Sequence, residues 1–103
     1  MKLLNAFSLN MVELPCSIIA SEVSLDEART LAATDFESAV GHADTAAIFA
    51  DQLGVPVPAN RTTIALEKGE RVLVGQYRGP RLPEGVTTLP EGSSIVWTLV
   101  EIR

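Results

Sequence analysis

Three side chains suited to phosphate chemistry lie in two short segments that contain glycine. His42 is the only histidine, and it stands in Val40-Gly41-His42-Ala43-Asp44-Thr45, where a helical pattern begins. A helix start presents unpaired N–H groups and the positive end of the helix dipole, so it is a place where phosphates bind. Histidine exchanges a proton readily near neutral pH. His42 could therefore protonate an oxygen leaving phosphorus, a role worth about 10²–10⁴ in rate, or it could simply begin the helix.

Arg81 and Glu84 lie in the second segment, Gln76-Tyr77-Arg78-Gly79-Pro80-Arg81-Leu82-Pro83-Glu84-Gly85. Its two prolines and two glycines predict a loop that places these side chains accurately. The planar guanidinium of Arg81 could bind a phosphate, and Glu84 could orient Arg81 or accept a proton from an attacking hydroxyl. The same residues could instead form a solvated loop with a weak ion pair worth ~0–1 kcal/mol.

Four further polar residues are candidate ligand contacts. Asn5, Ser8 and Asn10 stand where the first predicted strand ends, and Arg61 begins a later strand-like run. Amides, hydroxyls and guanidinium groups at strand ends commonly reach a ligand. Asn and Ser are also ordinary turn formers, and an arginine at the start of a strand is often only exposed to solvent.

Composition limits the classes of partner. The 103 residues carry 47% hydrophobic and 20% charged side chains, which predicts one globular domain over residues 1–103. A formal net charge of −5 argues against long nucleic acid, although a few arginines can still bind a small anion. With one histidine, the lone Cys16 and no tight acidic triad, we expect no metal, cofactor or disulfide. No run is apolar enough to span a membrane or serve as a signal peptide, so a cytoplasmic location without membrane contact is expected.

The pattern of apolar and turn residues predicts the elements that position these side chains. Strands are expected at residues 2–7 and 17–23, followed by a helix from about Leu25 to Leu31 or slightly beyond, which begins with the capping box Ser24 and Glu27. Residues 36–40 could be a brief strand or the tail of this helix, and an extended segment is favoured. The best-supported helix then runs from His42 to a stop at Gly54.

The second half of the chain reads mainly as strands. Residues 61–66 and 71–77 are predicted to pair as an antiparallel hairpin, residues 78–94 form a long loop, and residues 95–102 form a last strand. The predicted fold class is α+β, with a mixed, largely antiparallel sheet of about four to six strands and two main helices on it, in a single domain.

Four separated motifs, taken together, resemble one family. They follow one another in the order Leu4-Asn5-Ala6-Phe7-Ser8-Leu9-Asn10-Met11, Val40-Gly41-His42-Ala43-Asp44-Thr45, Asn60-Arg61 and Arg81-Leu82-Pro83-Glu84-Gly85. The chain resembles the ring nucleases of the viral type III anti-CRISPR class, small proteins of archaeal viruses and bacteria. The resemblance runs from Lys2 to about Ile102, nearly the whole chain.

The resemblance implies an enzyme that degrades cyclic oligoadenylate, with cyclic tetra-adenylate the expected ring, and so switches off type III CRISPR signalling. The implied reaction needs no metal. A ribose 2′-OH of the ligand attacks the adjacent phosphorus, and linear products ending in a 2′,3′-cyclic phosphate result. In this scheme His42 is the acid, Arg81 contacts the phosphate in the transition state and Glu84 is the carboxylate of the catalytic loop. The implied assembly is a homodimer, and Asn5, Ser8 and Arg61 match positions that hold the ligand in the family. Asn10 and Gln76 are further expected ligand contacts.

Two departures from the family pattern leave ring size open. Viral members usually carry Asp directly after the histidine, where this chain has Ala43, and a polar residue before the loop arginine, where this chain has Pro80. Viral and host origins are equally compatible with the sequence. The alternative function is a dimer that binds and sequesters a cyclic nucleotide without cutting it, for which the arginines would serve and His42 would be dispensable.

Overall fold

The computed structural model describes all residues from Met1 to Arg103 and shows a five-stranded sheet with two helices on one face. This confirms the predicted α+β class. The strands are β1 (Lys2–Leu4), β2 (Ile18–Val23), β3 (Glu37–Ser38), β4 (Arg71–Arg78) and β5 (Ser94–Ile102), and the helices are α1 (Leu25–Ala32) and α2 (Ala43–Leu53). Residues Leu9–Met11 form one turn of 3-10 helix. Strand β1 is shorter than the predicted residues 2–7.

The strand order β2-β5-β4-β1-β3 divides the sheet into two parts. Long antiparallel pairings join β5 to β2 and to β4, with Ile18 opposite Ile102 and Val72 opposite Val100. Short parallel pairings join β1 to β4 and to β3, with Leu4 opposite Val74. Because β1, β3 and β4 are parallel, the segments that follow them all leave the sheet at the same edge, which we call the carboxyl edge.

Both helices begin and end where the sequence predicts. The Ser24 hydroxyl accepts a hydrogen bond from the Glu27 amide at 3.1 Å, which confirms the capping box at the start of α1. Helix α2 ends at Gly54, whose φ of 74° lies in the left-handed region that glycine adopts without strain. Neither helix is long and apolar enough to cross a membrane.

Each face of the sheet has its own hydrophobic cluster. On the helix face, Leu73 and Trp97 pack against Phe49 of α2, and the Phe49 and Trp97 ring centroids are 4.9 Å apart. On the other face, Ile64 and Leu66 cover the apolar side chains of the sheet, among them Val72 and Val100. The two clusters leave little room for added atoms in the middle strands.

Gly75 of β4 is the tightest point of the helix-side cluster. A Cβ at this position would lie 2.6 Å from Phe49 Cζ and 2.6 Å from Trp97 Cζ3, closer than carbon atoms approach. We expect Gly75→Ala to destabilise the fold by about 1–3 kcal/mol or more, because the two rings must shift. Urea unfolding measures the loss. Gly41→Ala is the matched control: its new Cβ would meet Arg61 Cγ at an ordinary 3.6 Å, so an equal loss there would contradict the packing argument.

The predicted hairpin of residues 61–66 with residues 71–77 is wrong. Residues 61–66 form no strand and make only one isolated parallel bridge, between Leu66 and Val12. Both edges of β4 are already occupied, by β5 and β1, so no edge remains for a hairpin partner. The apolar alternation that suggested a strand instead points Ile64 and Leu66 onto the sheet and leaves Thr63 and Ala65 exposed.

An ion pair closes the end of the sheet opposite the carboxyl edge. Lys2 Nζ donates to Glu70 Oε1 at 2.9 Å, and Glu70 Oε2 accepts from the Glu67 amide at 2.6 Å. These two hydrogen bonds, chiefly that from Glu67, hold the pKa of Glu70 below its ordinary value.

The Glu70 contacts therefore predict an acid-dependent loss of stability. A carboxyl whose pKa is lower in the folded than in the unfolded state stabilises the fold above the unfolded pKa, and the contribution disappears as pH falls through the folded pKa. We expect Glu70→Gln to cost on the order of 0.5–1 kcal/mol at pH 7, because the pair is partly exposed to solvent. Urea unfolding of both proteins at pH 7 and in acid measures the difference. A difference that stays the same at every pH would contradict the prediction.

Candidate functional site

The carboxyl edge of β1, β3 and β4 brings together segments that are far apart in the chain. The segment after β3 leads to His42 at the start of α2, and the loop after β4 carries Arg81 and Glu84. The segment after β1 begins with Asn5. In open sheets with parallel strands, ligands bind outside the carboxyl ends of the strands. The topology thus places the candidate residues where a ligand site is expected.

One cleft at this edge contains all three predicted catalytic residues. It has a volume of about 800 Å³ and is open to solvent on one side. Its walls are the first turn of α2, the end of β4 and the loop that follows β4. The lining residues are His42, Asp44, Thr45, Tyr77, Gly79, Arg81, Leu82, Pro83 and Glu84. An imidazole, a guanidinium and a carboxylate therefore share one opening.

His42 occupies the N-cap position of α2 with an extended backbone, φ −117° and ψ 132°. Its side chain makes no capping hydrogen bond and is exposed. The first backbone hydrogen bond of the helix runs from the Ala46 amide to the His42 carbonyl at 2.9 Å, so the amides of residues 43–45 face the helix end. The imidazole is consequently free to contact a ligand beside these amides.

Arg81 and Glu84 form no ion pair with each other or with any other residue. The three salt bridges of the protein all lie elsewhere and join Lys2 to Glu70, Arg29 to Asp26 and Arg103 to Glu101. Both side chains are exposed at the rim of the cleft. The guanidinium donors and the carboxylate oxygens are therefore available to a ligand.

Tyr77 and Asp44 line the cleft although sequence reasoning gave them no part in it. Tyr77 lies two residues after Gly75, so strand alternation places it on the helix face, and that spacing could have revealed it. Its hydroxyl donates to the Pro80 carbonyl at 2.6 Å. From the sequence, Asp44 is expected only to complement the helix dipole with its carboxylate. In the structure it also forms a hydrogen bond, in which Asp44 Oδ2 accepts from the Gly85 amide at 3.4 Å.

Asn5 and Gln76 do not line this cleft. They meet in a second hollow of about 340 Å³ on the opposite face of the sheet, beside Phe7 and Val74. Gln76 and Tyr77 are consecutive residues of β4, so their side chains point to opposite faces. The structure thus brings these two predicted ligand contacts together, but apart from the three predicted catalytic residues.

Ser8 and Asn10 have the local role that turn residues usually have. Ser8 caps the 3-10 turn, and its hydroxyl accepts from the Asn10 amide at 3.3 Å. Arg61 lies nearer to the cleft, since its side chain runs along Gly41, the residue before His42. Arg61 makes no salt bridge and is exposed, so it could supply a second cation beside the cleft.

The chain offers no obvious metal ligand set. No group of three or more histidine, cysteine, aspartate or glutamate side chains converges on one point. Cys16 is a free thiol that packs, half-buried, against the cluster of the second sheet face.

Comparisons with known proteins place the chain in a family. Comparison with curated proteins gave no match. Among solved structures, the chain is similar to B116 of Sulfolobus turreted icosahedral virus, with 26% identity, a TM-score of 0.77 and 97% of each chain covered. The family model described as STIV B116-like matches residues 1–93. A match over that share of the sequence shows that the chain belongs to the STIV B116-like family.

Proposed function

We propose that this protein is a ring nuclease that cleaves cyclic oligoadenylate, most readily cyclic tetra-adenylate, and so ends signalling in type III CRISPR defence. The observation that carries the proposal is the convergence of His42, Arg81 and Glu84 on one open cleft beside a helix N-terminus. The resemblance of four sequence motifs to those of ring nucleases is the reason for proposing cyclic oligoadenylate as the substrate. Similarity to a protein of an archaeal virus is consistent with a viral suppressor of defence.

The proposed reaction draws its nucleophile from the ligand. A ribose 2′-oxygen bonds to the adjacent phosphorus while the bond from phosphorus to the 5′-oxygen breaks. Glu84 accepts the proton of the 2′-OH, and protonated His42 donates a proton to the leaving 5′-oxygen. The product is a linear strand with a 2′,3′-cyclic phosphate at one end and a 5′-OH at the other. The protein needs no metal for these steps, since the ring supplies its own attacking group.

Charge at the cleft suits a phosphodiester in the transition state. Arg81 has no carboxylate partner, so its donors can bind the phosphoryl oxygens as negative charge develops on them. The amides of residues 43–45 at the start of α2 face the same opening and favour an anion. Glu84 and Asp44 offset the charge of Arg81, so the cleft offers one local phosphate contact and lacks the broad positive surface that a long polyanion requires.

The proposal includes a homodimer, because a cyclic ligand of even symmetry presents equivalent phosphates to two equal clefts. The sheet face opposite the helices offers a surface for it. This face is only partly covered and leaves Ala20 and Gln76 exposed and Val96 half-buried. A solution mass of twice the 11.0 kDa of the chain, measured by light scattering, is expected. A monomer that cleaves at full rate would contradict the two-fold arrangement.

The decisive experiment incubates the protein with cyclic tri-, tetra- and hexa-adenylate in EDTA and separates the products. We expect linear products with a 2′,3′-cyclic phosphate, formed at a rate that EDTA leaves unchanged. A ring in which each 2′-OH is methylated serves as control: it should bind and stay intact, because it lacks the nucleophile. Activity that requires added metal would contradict the mechanism.

The same assay separates cleavage from sequestration. The arginines beside the cleft would also serve a protein that only binds the ring, and such a protein would hold unmethylated and methylated rings equally without cutting either. Tight binding without cleavage of any ring would therefore establish the sequestering function and refute the nuclease. Neither binding nor cleavage would refute both.

A further inference from the structure

Two hydrogen bonds join the loop that carries Arg81 and Glu84 to the rest of the protein. Residues 79–93 join β4 to β5 without helix or strand. Near its start, the Tyr77 hydroxyl donates to the Pro80 carbonyl at 2.6 Å. Further on, the Gly85 amide donates to Asp44 Oδ2 at 3.4 Å, across 41 residues of sequence. Arg81 and Glu84 lie between these two attachments.

The bond between Gly85 and Asp44 is the only hydrogen bond that joins this loop to α2. Arg81 and Glu84 make no hydrogen bond or ion pair of their own, so the loop backbone alone sets their positions. Gly85 has a φ of 82°, a left-handed conformation that favours glycine and that sets the direction of its amide. Asp44 stands two residues after His42, in the first turn of the same helix. A single hydrogen bond therefore links the loop to the helix that begins with His42.

We propose that Asp44 is a positioning residue, which holds the Gly85 end of the loop against α2 and so sets Arg81 and Glu84 relative to His42. The inference rests on the proposed function for its catalytic consequence, whereas the attachment itself is a property of the free protein. Asp44 is poorly suited to contact the phosphate, because a carboxylate there would repel it. Without Asp44, the loop would keep its attachment at Tyr77 and lose the one at α2.

Two substitutions separate this role from a simple effect on the helix dipole. Asp44→Asn removes the charge but keeps a side-chain oxygen that can accept from the Gly85 amide. Asp44→Ala removes both. Asp51→Ala is the matched control, since Asp51 is exposed in the last turn of the same helix and makes no hydrogen bond to the loop. Thermal melting verifies that each variant is folded at the assay temperature.

The first readout uses no nucleotide. Trypsin can cut after Arg81 in the loop, and Lys68, in the exposed turn before β4, provides an internal reference site. We expect cleavage at Arg81 relative to Lys68 to rise about two- to tenfold in Asp44→Ala, the factor that one hydrogen bond represents. Asp44→Asn and Asp51→Ala should change it little. Equal cleavage ratios in Asp44→Ala and the parent would overturn the attachment.

The second readout is cleavage of cyclic tetra-adenylate. We expect kcat of Asp44→Ala to fall about 10- to 100-fold with a smaller change in KM, because misplaced reacting groups cost turnover more than binding. Asp44→Asn should retain most of kcat. Equal losses in both variants would assign the effect to charge and overturn positioning by the hydrogen bond. A parent protein that cuts no ring would refute the proposed function and the catalytic part of this inference, while the trypsin result would still decide the attachment.

Discussion

Replacement of His42 by alanine is expected to slow ring cleavage by about 10²–10⁴-fold and to leave much of the affinity for the ring intact. The leaving 5′-oxygen would then depart without a proton, whereas the contacts that hold the phosphate would remain. Single-turnover cleavage of cyclic tetra-adenylate measures the first quantity. Equilibrium binding of the 2′-O-methylated ring measures the second.

A matched control comes from the other helix. His42 is an N-cap whose side chain makes no capping bond, so its loss should hardly change the free energy of unfolding. Ser24 is an N-cap that does bind the helix, and Ser24→Ala should cost about 1 kcal/mol of stability with unchanged turnover. His42→Ala should therefore lower turnover and leave stability nearly unchanged, whereas Ser24→Ala should lower stability and leave turnover unchanged. Equal turnover of His42→Ala and the parent would refute the general-acid role.

Replacement of Arg81 by alanine is expected to reduce both turnover and affinity. Turnover should fall about 10²–10³-fold, as for the loss of one donor to a developing oxyanion. Affinity should fall about 10- to 100-fold, the equivalent of a hydrogen bond to a charged group. Arg81→Lys should lie between Arg81→Ala and the parent, because an ammonium keeps the charge without the planar pair of donors.

Arg71 provides the control for Arg81. It is exposed like Arg81 but stands at the opposite end of β4 from the cleft, so Arg71→Ala removes the same charge from the protein without touching the site. Turnover and affinity should be unchanged. If Arg71→Ala lowered affinity as much as Arg81→Ala, binding would depend on overall charge, and the specific phosphate contact would be refuted.

Local signals in the sequence predicted the helices well. The capping box at Ser24 and the glycine at position 54 act within one turn of the chain, so their effect does not depend on distant residues. The long loop was also predicted, because proline and glycine interrupt the hydrogen bonding between strands. The last strand was predicted from its uninterrupted apolar run. These elements can be predicted without knowledge of the tertiary structure.

Strand partners could not be predicted in the same way. Residues 61–66 have the alternation of a strand because Ile64 and Leu66 face the sheet, but burial on one face says nothing about backbone pairing. The true neighbours of β4 are β5 and the distant β1, and the choice between them and a nearby segment is made by the packing of the whole sheet.

The sequence predicted three of the residues that line the cleft, and it did not predict the geometry of the cleft. Motif order assigned His42, Arg81 and Glu84 to one function, and the structure places them in one cleft. Strand alternation places Gln76 and Tyr77 on opposite faces of the sheet, but it does not show which face carries the cleft. The sequence therefore could not show that Asn5 and Gln76 lie on the other face. The contact of Asp44 with Gly85 joins residues 41 positions apart, and no local pattern indicates it.

The position of β5 between β2 and β4 has a consequence for folding. Strand β5 lies at the centre of the long antiparallel pairings, and its partner β2 is far away in the sequence, with Ile18 opposite Ile102. Pairings of such sequence separation require closure of large loops, which slows folding to milliseconds or longer in domains of this kind. During synthesis the edge strand β2 has no partner until β5 leaves the ribosome. A chain truncated before β5 is therefore expected to populate an aggregation-prone collapsed state instead of a smaller native fold.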